Sequence, residues 1–118
     1  MHELALTEDI LAAALQAARQ AGARAVRQLR LTLSSASHIE PETVRTHFTL
    51  VSQGTPAEGA ALIFTIRPVQ QACRNCGQTF VVNSDLACPA CDAPAMPAPH
   101  DEELKLDDIE VDVPVEPG

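Results

Sequence analysis

Leu4, Leu11, Leu15 and Ala18 are separated by seven, four and three residues, which puts them on one face of a helix over residues 4–21. Ile10 and Ala14 widen that stripe, and Ala12, Ala13, Ala17 and Ala21 add helix propensity more than core volume. Glu8 and Asp9 near the start and Arg19 near the end suit the helix dipole, and Gly22 predicts the stop. The period then changes to two. Leu29, Leu31 and Leu33 alternate with Arg30 and Thr32, predicting a half-buried strand over 26–33, broken by Ser34 to Ser37. Pro41 opens a second helix over 41–52, at a position where its missing N–H costs nothing. Ile39 and Val44 flank a start at Glu40 as a hydrophobic staple does, and Val44, Phe48 and Val51 form the inward stripe. Leu62, Phe64 and Ile66 predict a strand over 61–67, closed by Pro68. In the last strand Leu104 and Leu106 share one phase while Ile109, Val111 and Val113 share the other, so a bulge or tight turn is expected at Asp107-Asp108.

These elements predict an α+β fold: a small three-stranded mixed sheet with two helices on one face, plus an inserted four-cysteine zinc-ribbon-like module. The expected division is residues 1–68 and 101–113 as an α/β domain, 69–100 as the inserted module, and 114–118 as a tail. The 118 residues allow one small domain with an insert, and rule out a TIM barrel or a full dinucleotide-binding domain. With three Phe and no Tyr or Trp, the core must be aliphatic.

The net charge of −8 argues against a nucleic-acid partner. Eight of the 16 acids lie between Asp101 and Glu116, so the charge belongs mostly to the C-terminal strand and tail. The N-terminus has no basic stretch of the kind that starts a secretion signal, and no apolar run approaches the roughly 20 residues of a membrane span. A cytoplasmic location is expected, and in that reducing compartment four cysteines favour a metal site over two disulfides.

Cys73-Arg-Asn-Cys76 and Cys88-Pro-Ala-Cys91 are two Cys-x-x-Cys knuckles joined by a short link. Each knuckle turns tightly enough for two thiolates to converge on one ion, and Gly77 suits the turn after the first. Phe80, Val81 and Val82 supply a short strand that folds the second knuckle over the first. Four thiolates about 2.3 Å from one ion make a closed tetrahedral zinc site, with no open position for water, hence structural. Two disulfides, a redox pair and an iron site are the weaker alternatives.

The chain opens Met1-His2-Glu3. A His at position 2 most simply reads as a solvated residue beside a helix start. A sharper reading joins the terminal amine of Met1, the amide nitrogen of His2 and its imidazole in adjoining chelate rings that suit Ni(II) or Cu(II). Glu3 then supplies an oxygen or holds the imidazole. Taken with Leu4-Ala5-Leu6, the segment Leu31 to Glu40 leading into Val44-Arg45 and Phe48, the Gly54-Thr55 pair, both knuckles and the closing Ile109-Glu110-Val111, the sequence resembles the hydrogenase nickel-insertion accessory proteins of the HypA/HybF family. It departs from the family's usual pattern at Thr32, where an acid is common, and at Ser34, where Gly is common.

The resemblance implies a non-enzymatic metallochaperone with two metals. Transferable Ni(II) is held by Met1 (through its terminal amine), His2 and Glu3. Structural Zn(II) is held by Cys73, Cys76, Cys88 and Cys91. It implies delivery of nickel to the large subunit of [NiFe]-hydrogenase, and in some organisms to urease, with a GTP-hydrolysing partner. The chain has no phosphate-cradling Gly-rich loop of its own. A competing reading is a zinc-ribbon interaction adaptor without transferable metal. A monomer or weak homodimer is expected. His47 is expected at the surface, and His38 and His100 are expected at most as weak accessory ligands.

Overall fold

The helix that opens the computed structural model, α1 (His2–Gln20), follows the predicted apolar stripe with its centre moved. Leu6, Thr7, Ile10, Leu11, Ala14 and Ala18 are the buried positions, while Leu4 and Leu15 are only half-buried. The described residues are 2–83, 85–97 and 103–114, with the side chains of His2 and Glu3 outside that set. Gly22 takes φ +68, and the bonds Ala23 N–H to Ala18 O (2.9 Å) and Gly22 N–H to Arg19 O (3.1 Å) close a Schellman cap.

Helix α2 (Pro41–Val51) starts at the expected proline. Glu40 is its N-cap in extended conformation and gives no side-chain cap bond, so the start rests on Pro41 and on burial of Val44 and Phe48. Thr46 and Thr49 return their hydroxyl protons to the carbonyls of Glu42 and Arg45. The two helices pack on each other.

The sheet has the order β2-β1-β5, where β1 is Ala25–Ser34, β2 is Ala61–Arg67 and β5 is Leu104–Asp112. Its directions follow from the flanking hydrogen bonds. Val26 N–H reaches Pro56 O and Ser35 N–H reaches Arg67 O, so β1 and β2 run parallel, with α2 in the crossover. Arg24 N–H reaches Asp112 O and Ser34 N–H reaches Glu103 O, so β1 and β5 run antiparallel. The sheet is therefore mixed, as expected. On β5, Leu104 is buried and Leu106 half-buried, Asp107 and Asp108 are both exposed, and Ile109 and Val111 are half-buried. That is the phase slip the sequence predicts, carried inside one unbroken strand. Arg24 and Arg27 both bond Asp112 Oδ2, at 3.0 and 3.1 Å, and Arg30 pairs with Asp108. The Arg24 hydrogen bond, helped by the charges of both arginines, holds the Asp112 carboxyl below the usual carboxylate range.

The chain divides into two units, and the boundary falls inside each of these three strands. The first comprises Met1–Leu31, Glu40–Phe64 and Leu106–Gly118, and holds both helices. Its core is aliphatic apart from Phe48: Leu6, Ile10, Leu11, Val26, Leu29, Leu31, Val44 and Leu62. The second comprises Thr32–Ile39 and Thr65–Lys105. Its serine-rich segment is built by hydroxyls that cap the backbone: Ser34 Oγ accepts from Ala36 N–H, Ser37 Oγ from Ile39 N–H, and Ser35 Oγ from Val69 N–H. In this chain Ser34 thus supplies a side-chain turn.

The second unit also holds β3 (Gln70–Ala72) and β4 (Thr79–Val81), paired antiparallel with Gln71 opposite Phe80. β4 lies one residue earlier than expected, and the completely buried Val82 that follows it bonds Val69 O in the same register. The sequence pattern does not announce β3. No helix of the described residues is long and apolar enough to cross a membrane.

Candidate metal centre

Cys73 follows β3 directly, and Cys76 precedes β4 by two residues, so the β3–β4 hairpin presents the first knuckle at its tip. The second knuckle sits in a loop pinned by the Ala87–Pro94 bridge. The two turns share one backbone design. Cys73 N–H bonds Gln78 O and Gly77 N–H bonds Cys73 O, at 2.8 and 2.9 Å. Fifteen positions on, Cys88 N–H bonds Ala93 O and Asp92 N–H bonds Cys88 O, both at 2.8 Å. The residue after each second cysteine is left-handed: Gly77 at φ +79 and Asp92 at φ +64. Gly carries that conformation without cost, and Asp is among the residues that tolerate it.

That equivalence gives a prediction. No atom lies within 4 Å of a Cβ placed on Gly77, so Gly77→Ala acts through backbone strain alone. It should cost about 1–2 kcal/mol, or roughly a tenfold loss in a zinc competition with a chromogenic chelator. Asp92→Gly should leave zinc retention within about threefold of wild type in the same assay.

The four Sγ atoms converge, all within 4.8 Å of one another. Cys73 and Cys91 sulfurs are 3.5 Å apart and those of Cys76 and Cys88 3.7 Å. Disulfide sulfurs stand about 2.05 Å apart, so these are free thiols, as all four cysteines are. A regular tetrahedron with zinc–sulfur bonds of about 2.3 Å has edges of roughly 3.8 Å, so the cluster fits a structural zinc ion held by Cys73, Cys76, Cys88 and Cys91.

The protein also supplies part of the compensation that four thiolates need. Cys73 Sγ accepts the N–H groups of Asn75 and Cys76, both at 3.4 Å. Without metal these bonds, from Cys76 first and Asn75 next, pull the Cys73 thiol down to about 6. Cys76 goes the other way. The Gln78 N–H pulls it down, but a neighbouring Cys73 thiolate, burial, Cys88 and Cys91 outweigh that and push it up to about 12. One preformed thiolate beside a reluctant thiol is what a metal-free cluster should show, since four like charges cannot share this volume without a cation.

Gln71 is a supporting residue that the sequence pattern does not single out. Its carboxamide donates to Met96 O at 2.8 Å and accepts Met96 N–H at 3.0 Å, fastening the segment that leaves the second knuckle to β3.

The expected nickel ligands fall differently. Met1 lies outside the described residues, as do the side chains of His2 and Glu3, whose backbones form the first residues of α1. His38 is exposed and His100 lies outside the described residues. His47 is half-buried rather than at the surface, and its Nδ1 has no hydrogen-bond partner among the described residues.

Comparison with known proteins gives one consistent result. The family model described as hydrogenase/urease nickel incorporation, metallochaperone, HypA matches residues 1–111. The hydrogenase maturation factor HypA of Acidithiobacillus ferrooxidans is 36% identical over 113 residues, covering 95% of this chain and 100% of the relative. That of Dehalococcoides mccartyi is 34% identical over 113 residues, covering 95% of each. The solution structure of the Ni metallochaperone HypA from Helicobacter pylori aligns with TM-score 0.64 at 18% identity, covering 97% of this chain and 100% of that one, and so supports the fold. The reading as an interaction adaptor finds no support in these matches. With the knuckles in place and the match running through nearly the whole chain, the protein belongs to the HypA family of nickel metallochaperones for hydrogenase maturation.

Proposed function

We propose that the chain binds its Ni(II) cargo through the terminal amine of Met1, the amide nitrogen and imidazole of His2, and Glu3. The nickel passes to the large subunit of [NiFe]-hydrogenase together with a GTP-hydrolysing partner, in the cytoplasm, without any reaction catalysed by the chain itself. Urease is a second destination consistent with the family's description. The observation that carries this reading is the family match beginning at Met1 and so including Met1-His2-Glu3. We assign nickel binding to residues 1–68 with 101–113 and zinc binding to 69–100, with 114–118 outside both.

The chemistry suits delivery. Nitrogen ligands that include a terminal amine favour Ni(II), and ligands at a chain end can leave one at a time. They must shed protons to bind, so nickel affinity should fall as the pH drops below about 6.5.

The test uses protein with its own Met1 and no tag, titrated with Ni(II) and followed by elemental analysis. Wild type should hold one zinc and one exchangeable nickel per chain. His2→Ala should keep the zinc and lose more nickel affinity than the roughly 10–100-fold expected for a merely supporting group. Equal nickel binding by His2→Ala would overturn the assignment.

A further inference from the structure

The two edges of the three-stranded sheet are guarded differently. β5 carries exposed Lys105, Asp107, Asp108 and Glu110, charges of the kind that keep an edge from taking another strand. β2 carries no charge before Arg67, and its Ile63 and Ile66 are 45% and 51% exposed. Among the described residues β2 has one neighbour, β1.

The backbone phase of β2 says which groups it offers. The Arg67 carbonyl accepts from Ser35 N–H and so points toward β1. Successive residues alternate, so Leu62, Phe64 and Ile66 present their N–H and C=O groups to the open edge. In an antiparallel pair of two β2 strands about a two-fold axis at Phe64, Leu62 meets the second copy's Ile66 and Phe64 meets its own equivalent. This register bonds all three outward residues of each strand; shifting it by two positions leaves some of them unpaired.

The side chains agree with that register. Leu62 is buried, and Phe64 lies under the Arg45 guanidinium of α2, 4.9 Å from the ring centre, so this face of β2 is the one that bears the helix. By alternation Ile66 is on the same face. Beside Leu62 lies a groove of about 280 Å³ lined by Arg45, Thr49, Ala60, Ala61 and Leu62. The Ile66 of a second copy, directly across from Leu62, meets that groove. The same pairing brings Arg67 of one strand opposite Ala61 of the other, three residues after the exposed Glu58.

We propose that β2 is a self-association edge, and that its occupant is β2 of a second copy, antiparallel and centred on Phe64. A head-to-tail pairing of β2 on β5 instead sets an uncharged strand against a charged one and leaves free edges at both ends. One strand pair and two symmetry-related filled grooves make a small interface, below the roughly 1,200 Å² of stable complexes, so the dimer is weak. Each copy carries −8, so added salt tightens it by screening the repulsion.

The test is sedimentation of the zinc-loaded full chain from about 1 µM to about 1 mM, with amide hydrogen exchange at both ends of that range. A reversible monomer–dimer equilibrium is expected, with the amides of Leu62, Phe64 and Ile66 gaining protection as concentration rises. Ile66→Lys should weaken the dimer at least about tenfold while circular dichroism and zinc content stay unchanged. Leu50→Lys makes the same change of charge at an exposed residue of α2 and should leave the dimer intact. A monomer at every concentration, as an edge reserved for another protein's strand would give, overturns the proposal. So does protection gained on β5 instead, or an Ile66→Lys protein that dimerises like wild type.

Discussion

Stripping zinc from the full-length protein is expected to release both knuckles while leaving helical circular dichroism largely in place. The helices have their own buried aliphatic layer, from Leu6 and Ile10 through Leu29 and Val44 to Leu62. The second unit has few large buried apolar side chains to set beside it: Leu33, Ile39, Val82 and Leu104. Structural zinc contributes about 10–16 kcal/mol in small zinc-dependent folds, at least as much as the roughly 6–12 kcal/mol of those four side chains together. The direct readout is amide exchange. The N–H groups of Cys73, Gly77, Cys88 and Asp92 close the two knuckles, and all four should exchange freely after chelation. Continued protection there would show that the turns stand without metal. Cys88→Ser, which removes a buried ligand, should reproduce the released state at micromolar zinc.

The same site fixes a pH dependence. In the metal-free cluster the Cys76 thiol is held up near 12, so it is protonated at neutral pH and must lose that proton to join the site. Zinc uptake therefore releases protons, and zinc affinity rises with pH across the neutral range. The low Cys73 value works in the opposite sense, keeping one thiolate ready down to about pH 6.

How far the sequence could be read depended on which force sets each feature. Elements fixed by a local period were legible almost to the residue: α2 opens at Pro41, β2 runs over 61–67, and the slip at Asp107-Asp108 is present. The centre of the α1 stripe was not, because tertiary packing chose Leu6 and Thr7 over Leu4 and Leu15. A threonine in a helix carries no apolar signal, yet Thr7 is completely buried. β3 was invisible for a related reason. Gln70-Gln71-Ala72 has no period-two pattern, and its strand exists through pairing with β4 and the Gln71 clasp on Met96. The thiolate site was fully legible, since spacing alone sets it. Asp92 could have been matched to Gly77 by aligning the two knuckles, since each follows the second cysteine of its pair.

Leu29→Ala should be the most damaging single truncation outside the cysteines. Leu29 is fully buried in the central strand of the sheet, in the unit that holds both helices. Removing a buried leucine side chain costs about 2–5 kcal/mol, the upper end applying where neighbours cannot collapse into the space. Collapse is difficult here, because a central strand is held by ladders on both sides. The aliphatic neighbours are also short, and the single buried aromatic, Phe48, is fixed on α2. Against a domain stability of about 5–15 kcal/mol, the thermal midpoint should fall by roughly 10 °C or more. Leu50→Ala deletes the same atoms from a side chain 61% exposed and should stay within about 0.5 kcal/mol of wild type. Thermal melts of zinc-loaded protein at 222 nm compare the two directly. Equal midpoints would mean that Leu29 is not in the core that holds the helices to the sheet.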